Sequence, residues 1–105
     1  MKNLIDFLDV DMKTKAINLN SLGFNEYAWK FSEAEKILEI ATINEWLILG
    51  GDVYLIDENG VSITYDNWYY NFDDYKESIK KAKEYIEWHH NKLGDKYAYS
   101  FVIKE

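Results

Sequence analysis

Apolar positions recur along this chain with two periods, and the alternation between them lays out its elements. Asn3 to Asp9 carries Leu4, Ile5 and Leu8 on one side of a short predicted helix. Residues 12–30 show no clear period, and Gly23 marks a turn within them. Ser32-Glu33-Ala34-Glu35 has the form of a capping box, in which a hydroxyl and a carboxylate satisfy free backbone N–H groups. Ala34, Ile37, Leu38 and Ala41 follow at helical spacing, predicting an amphipathic helix over about residues 32–43. Trp46-Leu47-Ile48-Leu49 is a short apolar run suited to a buried strand, ending at Gly50-Gly51.

Val53 to Tyr65 reads as a hairpin turning at Asn59-Gly60, the pair favoured in a tight type I′ turn. A two-residue loop there sets Ile56 opposite Ile63 and Tyr54 opposite Tyr65, with Val61 on the same apolar face. A longer loop with a bulge at Gly60 would shift the register by one. The longest helix comes next. Asn71 is its expected N-cap, Asp73 and Asp74 complement its dipole, and Tyr75, Ile79, Ala82, Ile86 and Leu93 form one stripe before Gly94 stops it. Tyr97 to Lys104 alternates as a closing strand, with Tyr97, Tyr99 and Phe101 on one face. The order predicts an α+β fold, a mostly antiparallel sheet packed against helices. With no proline, linker or repeat, residues 1–105 read as a single domain.

Composition narrows the function. Hydrophobic residues make up 48% of the 105, enough for a core without staples, and the absence of cysteine excludes disulfides and thiolate chemistry. No apolar run suits a membrane span and no secretory leader is evident, so a cytoplasmic protein is expected. The net charge of −7 is uneven: residues 1–75 sum to −9 and residues 76–105 to +2. No basic residue lies between Lys36 and Lys76, a stretch that holds Glu39, Glu45, Asp52, Asp57, Glu58, Asp66, Asp73 and Asp74. There is no arginine anywhere, which argues against direct nucleic-acid binding. Such a field favours encounter with a basic partner, or it serves only solubility.

No catalytic constellation stands out. Adjacent His89 and His90 point about 100° apart on a helix and cannot readily share a metal, so a preference for the helix C-terminus explains them better. Gly50-Gly51-Asp52 lacks the phosphate-loop patterns and reads as a tight connection between strands, with Asp52 capping the turn. No cofactor is expected. Asp66-Asn67-Trp68-Tyr69-Tyr70 is the richest segment, with hot-spot residue types beside an acid. Trp68 reads as a core plug and Tyr69 or Tyr70 as exposed. The expected partner surface comprises Asp57, Glu58, Asp66, Tyr69, Tyr70, Asp73 and Asp74. The alternative is a small enzyme or carbohydrate-binding domain using an aromatic and carboxylate cleft around Trp68.

Three segments together resemble a known family. Leu49-Gly50-Gly51-Asp52-Val53-Tyr54, then Thr64-Tyr65-Asp66-Asn67-Trp68-Tyr69, then Ser78-Ile79 with Ala82 and Tyr85-Ile86, are similar to the motif series of a bacterial polymorphic-toxin immunity family, immunity protein 40. Gly23-Phe24 with Glu26, Ala28 and Trp29 fits the same series more loosely, so that the likeness spans about residues 22–103. The resemblance implies a cytosolic protein that binds its cognate toxin domain and blocks it. Nothing in the residues fixes the oligomeric state or the toxin.

Overall fold

A computed structural model describes residues 8–70 and 73–104. The helix expected over residues 3–9 falls mostly outside them. In chain order the elements are α1 (Val10–Thr14), β1 (Ile17–Asn18), a single 3-10 turn (Asn20–Leu22), β2 (Tyr27–Lys30), α2 (Phe31–Asn44), β3 (Leu47–Asp57), β4 (Gly60–Tyr69), α3 (Tyr75–Leu93), β5 (Tyr97–Tyr99) and β6 (Val102–Lys104). The strands form one antiparallel sheet in the order β1-β2-β5-β3-β4, with β6 continuing the line of β5 along β3. This is the expected α+β class.

α2 and α3 pack together on one face of the sheet. Ala34, Leu38, Ala41, Ala82 and Ile86 meet Ile48, Val53, Trp68 and Tyr99 there, and Tyr97 of β5 and Phe101, in the link from β5 to β6, join them. Ser78 lies in this buried stripe, where its hydroxyl accepts the Ile48 N–H (2.9 Å) and pins α3 to β3. Leu93, expected to end the stripe, is largely exposed. The opposite face is covered over part of its area by the segment around residues 17–24, which packs Leu19, Ile17 and Leu22 on Ala28, Tyr54 and Ala98. A third cluster fixes α1, where Trp29 donates its indole N–H to the Met12 carbonyl (3.1 Å) beside Ile37.

Four local expectations are corrected. α2 begins at Phe31 with Lys30 as N-cap, because β2 runs straight into the helix and Lys30, paired with Ala98, is already extended. Ser32 therefore sits inside the first turn, and its hydroxyl bonds the Glu33 carboxylate instead of closing a capping box with Glu35. The N-cap of α3 is Asp74, whose carboxylate accepts the Lys76 N–H (3.0 Å); Asn71 lies outside the described residues. The strand of Trp46–Leu49 does not end at the glycines but runs through them into the hairpin as β3.

The hairpin turns at Glu58-Asn59, one residue before the expected pair. A type I′ turn needs positive φ at both loop residues, and here only Gly60 (φ 108°) supplies it. Tyr54 consequently faces Ile63 and Ile56 faces Val61, two residues from the expected register, so each residue near the turn keeps its expected face. A bulge absorbs the difference: between the Asp52–Asn67 and Tyr54–Ile63 pairs, β4 contributes Thr64, Tyr65 and Asp66 against Val53 alone. The Thr64 hydroxyl donates to the Val53 carbonyl (2.7 Å) and accepts the Asp66 N–H (3.1 Å). Tyr65 is pushed out to 95% exposure, off the apolar face where the simple register would place it.

Candidate functional site

The glycine pair organises the ground around the aromatic segment. A Cβ on Gly51 would collide with the Ser100 carbonyl oxygen and the Trp68 ring, and one on Gly50 with the Trp68 carbonyl oxygen and the Tyr69 ring. These glycines are therefore seats for two rings that β4 lays across β3, one on each face, and not a connection between strands. Under α3, Trp68 is 4% exposed, stacked on Tyr85 (4.9 Å) with Phe101 edge-on (5.8 Å). Trp68 therefore lines no open cleft, and the core-plug reading holds. Tyr69 (52% exposed) and Tyr70 (49%) are the open aromatic members of the segment.

On the Tyr69 face, its hydroxyl donates to an Asp52 carboxylate oxygen (2.9 Å), so Asp52 braces a neighbouring strand instead of capping a turn. Burial, and then the Asp52 charge, push the Tyr69 phenol up to about 12. Glu26 stands close by; burial and then Asp52 raise its pKa, while a hydrogen bond to the Ser100 hydroxyl opposes the rise. Burial, helped by Glu26 and Asp52, likewise raises Tyr54. Two carboxylates and two phenols thus share this face, and among the described residues neither carboxylate makes an ion pair.

On the helix face, two residues along β4 from Trp68, Asp66 points inward. Its carboxylate meets His89 Nε2 (3.2 Å), while His89 Nδ1 meets the Tyr99 hydroxyl (3.0 Å). A ring carrying its proton on Nε2 donates to Asp66 and accepts from Tyr99, so one tautomer satisfies both contacts. His89 and Tyr99 are fully buried, and burial raises the Tyr99 phenol, keeping it a donor. His90 instead stacks flat on Phe31 (4.0 Å). The histidines thus divide between the core and the α2 contact. Helix-end preference did not foresee this, because the partners Asp66 and Tyr99 are remote in sequence. Among the described residues no three His, Asp or Glu side chains group to hold a metal ion, and no helix is long and apolar enough to cross a membrane.

The Asp66–His89–Tyr99 line is expected to stabilise as a unit. His89→Leu leaves the buried Tyr99 hydroxyl unpaired and should cost about 1–3 kcal/mol in urea unfolding. Adding Tyr99→Phe to it should cost less than the sum of the two single changes. Additive losses would show that the two rings do not act together.

The seven expected surface residues do not form one compact patch. Asp57 and Glu58 cap the hairpin tip, and Tyr69 and Tyr70 lie at the far end of β4, roughly 30 Å away at the usual rise per residue. Asp66 lies between them and is half exposed despite its bond to His89. Asp73 and Asp74 are exposed at the start of α3. They line one border of the molecule, the outer strand β4 and its two ends. Sequence reasoning missed Glu26 and Asp52 as neighbours of Tyr69; no periodicity links residue 26 to residue 52, and only the sheet order brings them together.

Fold and site together define a small α+β protein in which Asp66, His89 and Tyr99 tie the outer strand, the long helix and the middle strand together. The chain belongs to the Immunity protein 40 family, whose model matches residues 18–103, most of its length. Neither the curated proteins nor the solved structures provide a match. As the family's name says, this is a family of immunity proteins, which implies a toxin as the partner.

Proposed function

We propose that this protein is a stoichiometric inhibitor that binds and neutralises a cognate bacterial toxin domain in the cytoplasm, meeting a basic surface with its acidic border and carrying out no reaction of its own. One observation carries the acidic-border reading. Among the described residues, Asp52, Asp57, Glu58, Asp73 and Asp74 make no ion pair, whereas Asp11 in α1 pairs with Lys15, and two of the three acids of α3 pair with lysines, Glu84 with Lys81 and Glu87 with Lys83. Charge left uncompensated over a stretch without lysine is a standing field available to a cation. The aromatic hydroxyls of Tyr69 and Tyr70 add contact area at low entropy cost. The reading calls for no cofactor, nucleic acid or membrane.

The test is co-expression with the toxin domain of the neighbouring reading frame, followed by stopped-flow association. Replacing Asp57, Glu58, Asp73 and Asp74 together by lysine should slow association about tenfold or more at low salt and flatten its salt dependence. Unchanged association of that variant would remove the acidic border from the mechanism while leaving the immunity role standing. Failure of the unaltered protein to protect would remove the role itself.

A further inference from the structure

The outer strand offers more than charge. In an antiparallel ladder the N–H and C=O of one residue point to the same neighbouring strand, and the direction alternates along the chain. On β3, the Asp52 carbonyl accepts the Ser100 N–H (2.9 Å) and the Ile56 N–H donates to the Lys96 carbonyl (2.7 Å), so these even-numbered residues turn toward β5. Val53, whose carbonyl takes the Thr64 hydroxyl, turns toward β4, and by alternation so do Leu55 and Asp57. Their partners Ser62 and Gly60 therefore turn their main chain inward, and Val61 and Ile63 turn theirs outward. Among the described residues β4 pairs with β3 alone, so no described strand takes up those outward groups.

An open edge is a template for another strand, and proteins usually guard it with lysine, proline, shortness or a bulge. Strand β4 has neither lysine nor proline and runs for 10 residues. Its guards, the bulge at residues 64–66 and the inward carboxylate of Asp66, leave Gly60 to Ile63 in unbroken register with β3. Ile63 is 51% exposed there, with Tyr65 bare beside it. Among the described residues, the other unpaired borders, along β1 and β6, are two and three residues long.

We propose that the β4 edge is where the partner docks, by adding an extended segment bearing lysine or arginine as a further strand along Val61–Ile63. This rests on the immunity reading and specifies its contact. Charge selects the occupant. A second copy paired through β4 would set Asp57, Glu58 and Asp66 against their own counterparts, with no lysine on the strand to offset them, and like charges across a ladder repel. A basic strand meets the same carboxylates favourably, while main-chain bonds supply affinity and side chains supply specificity.

The experiment uses the intact protein and the toxin domain of the neighbouring reading frame. Amide exchange of Val61 and Ile63 should be fast in the free protein and slow on the order of 100-fold in the complex. Ile63→Pro removes one outward N–H without touching the β3 ladder, a position where proline is tolerated. It should weaken binding about tenfold or more, the scale of one lost hydrogen bond with its neighbours disturbed. Ile63→Thr, which keeps the N–H, should bind within about threefold of the unaltered protein. If Ile63→Pro does not fold by circular dichroism, the exchange measurement decides alone. Unprotected Val61 and Ile63 amides in a formed complex overturn edge pairing and leave the immunity role intact. Equal losses from the proline and threonine variants overturn it too, because the side chain and not the main chain is then in contact. Self-association through this edge overturns the basic occupant. If no complex forms with the unaltered protein, the immunity reading falls and takes the proposal with it.

Discussion

Trp68→Ala should destabilise the protein by about 3–5 kcal/mol, the usual cost of emptying a buried aromatic site. That is a large share of the roughly 5–15 kcal/mol that holds a small domain together. The indole fills the space between Gly51, Tyr85 and Phe101, and each of those surfaces is shaped to it. Collapse is obstructed, because Gly51 belongs to β3, which is paired on both sides, and Phe101 sits in the short link between β5 and β6, both paired to β3. Urea unfolding should show the midpoint falling with an unchanged slope. A loss under 1 kcal/mol would mean that the ring lies on the core without supporting it. Binding measured well below the unfolding midpoint should change little, since Trp68 presents almost no surface to a partner.

The second large effect comes from adding a single methyl group. Gly51→Ala should cost about 3 kcal/mol, the upper end of what overpacking exacts. One of the two groups a Cβ would strike is the Ser100 carbonyl oxygen, and main chain cannot swing aside as a flexible side chain can. Relief would require β3 to part from the residues joining β5 and β6, where the Ser100 N–H is bonded to the Asp52 carbonyl. Thermal melting of the variant is the check, and an unchanged midpoint would mean that the strands have slack. Combined with Trp68→Ala the costs should not add, because the smaller residue vacates part of the room the methyl group needs.

These two residues also show what the sequence could and could not disclose. The helical stripes of α2 and α3 and the closing alternation of Tyr97, Tyr99 and Phe101 were legible because burial against one surface imposes a period. The distinction between Trp68 as plug and Tyr69 as exposed was legible for the same reason, since neighbours in a strand face opposite ways. The glycines were misread because a residue without a side chain signals turn and close approach alike; only the rings crossing from β4 tell them apart. The turn moved by one residue because Gly60 alone takes positive φ, and a bulge downstream repaired the register. His89 looked like a helix-end residue because its partners lie 23 and 10 positions away, beyond any local period. The edge at Val61–Ile63 was hidden for a related reason: main-chain direction follows from sheet order, which hydropathy does not encode.

The position of β5 bears on when the protein can act during its synthesis. The hairpin of β3 and β4 is local and can form as soon as residue 69 has left the ribosome, and the helical segments can fold early. Tyr99, however, must slot between Trp29 of β2 and Val53 of β3, so the middle strand of the sheet is made after both of its neighbours and after α3. Until then β2 has no partner toward the hairpin, and α3 has no Tyr99 against which to set His89. Long-range closure of this kind is the slow step of a sheet. A nascent chain halted before residue 97 should therefore expose the inner edges of β2 and β3 and be prone to proteolysis, and protection of the cell would lag behind translation by the time needed to insert that one strand.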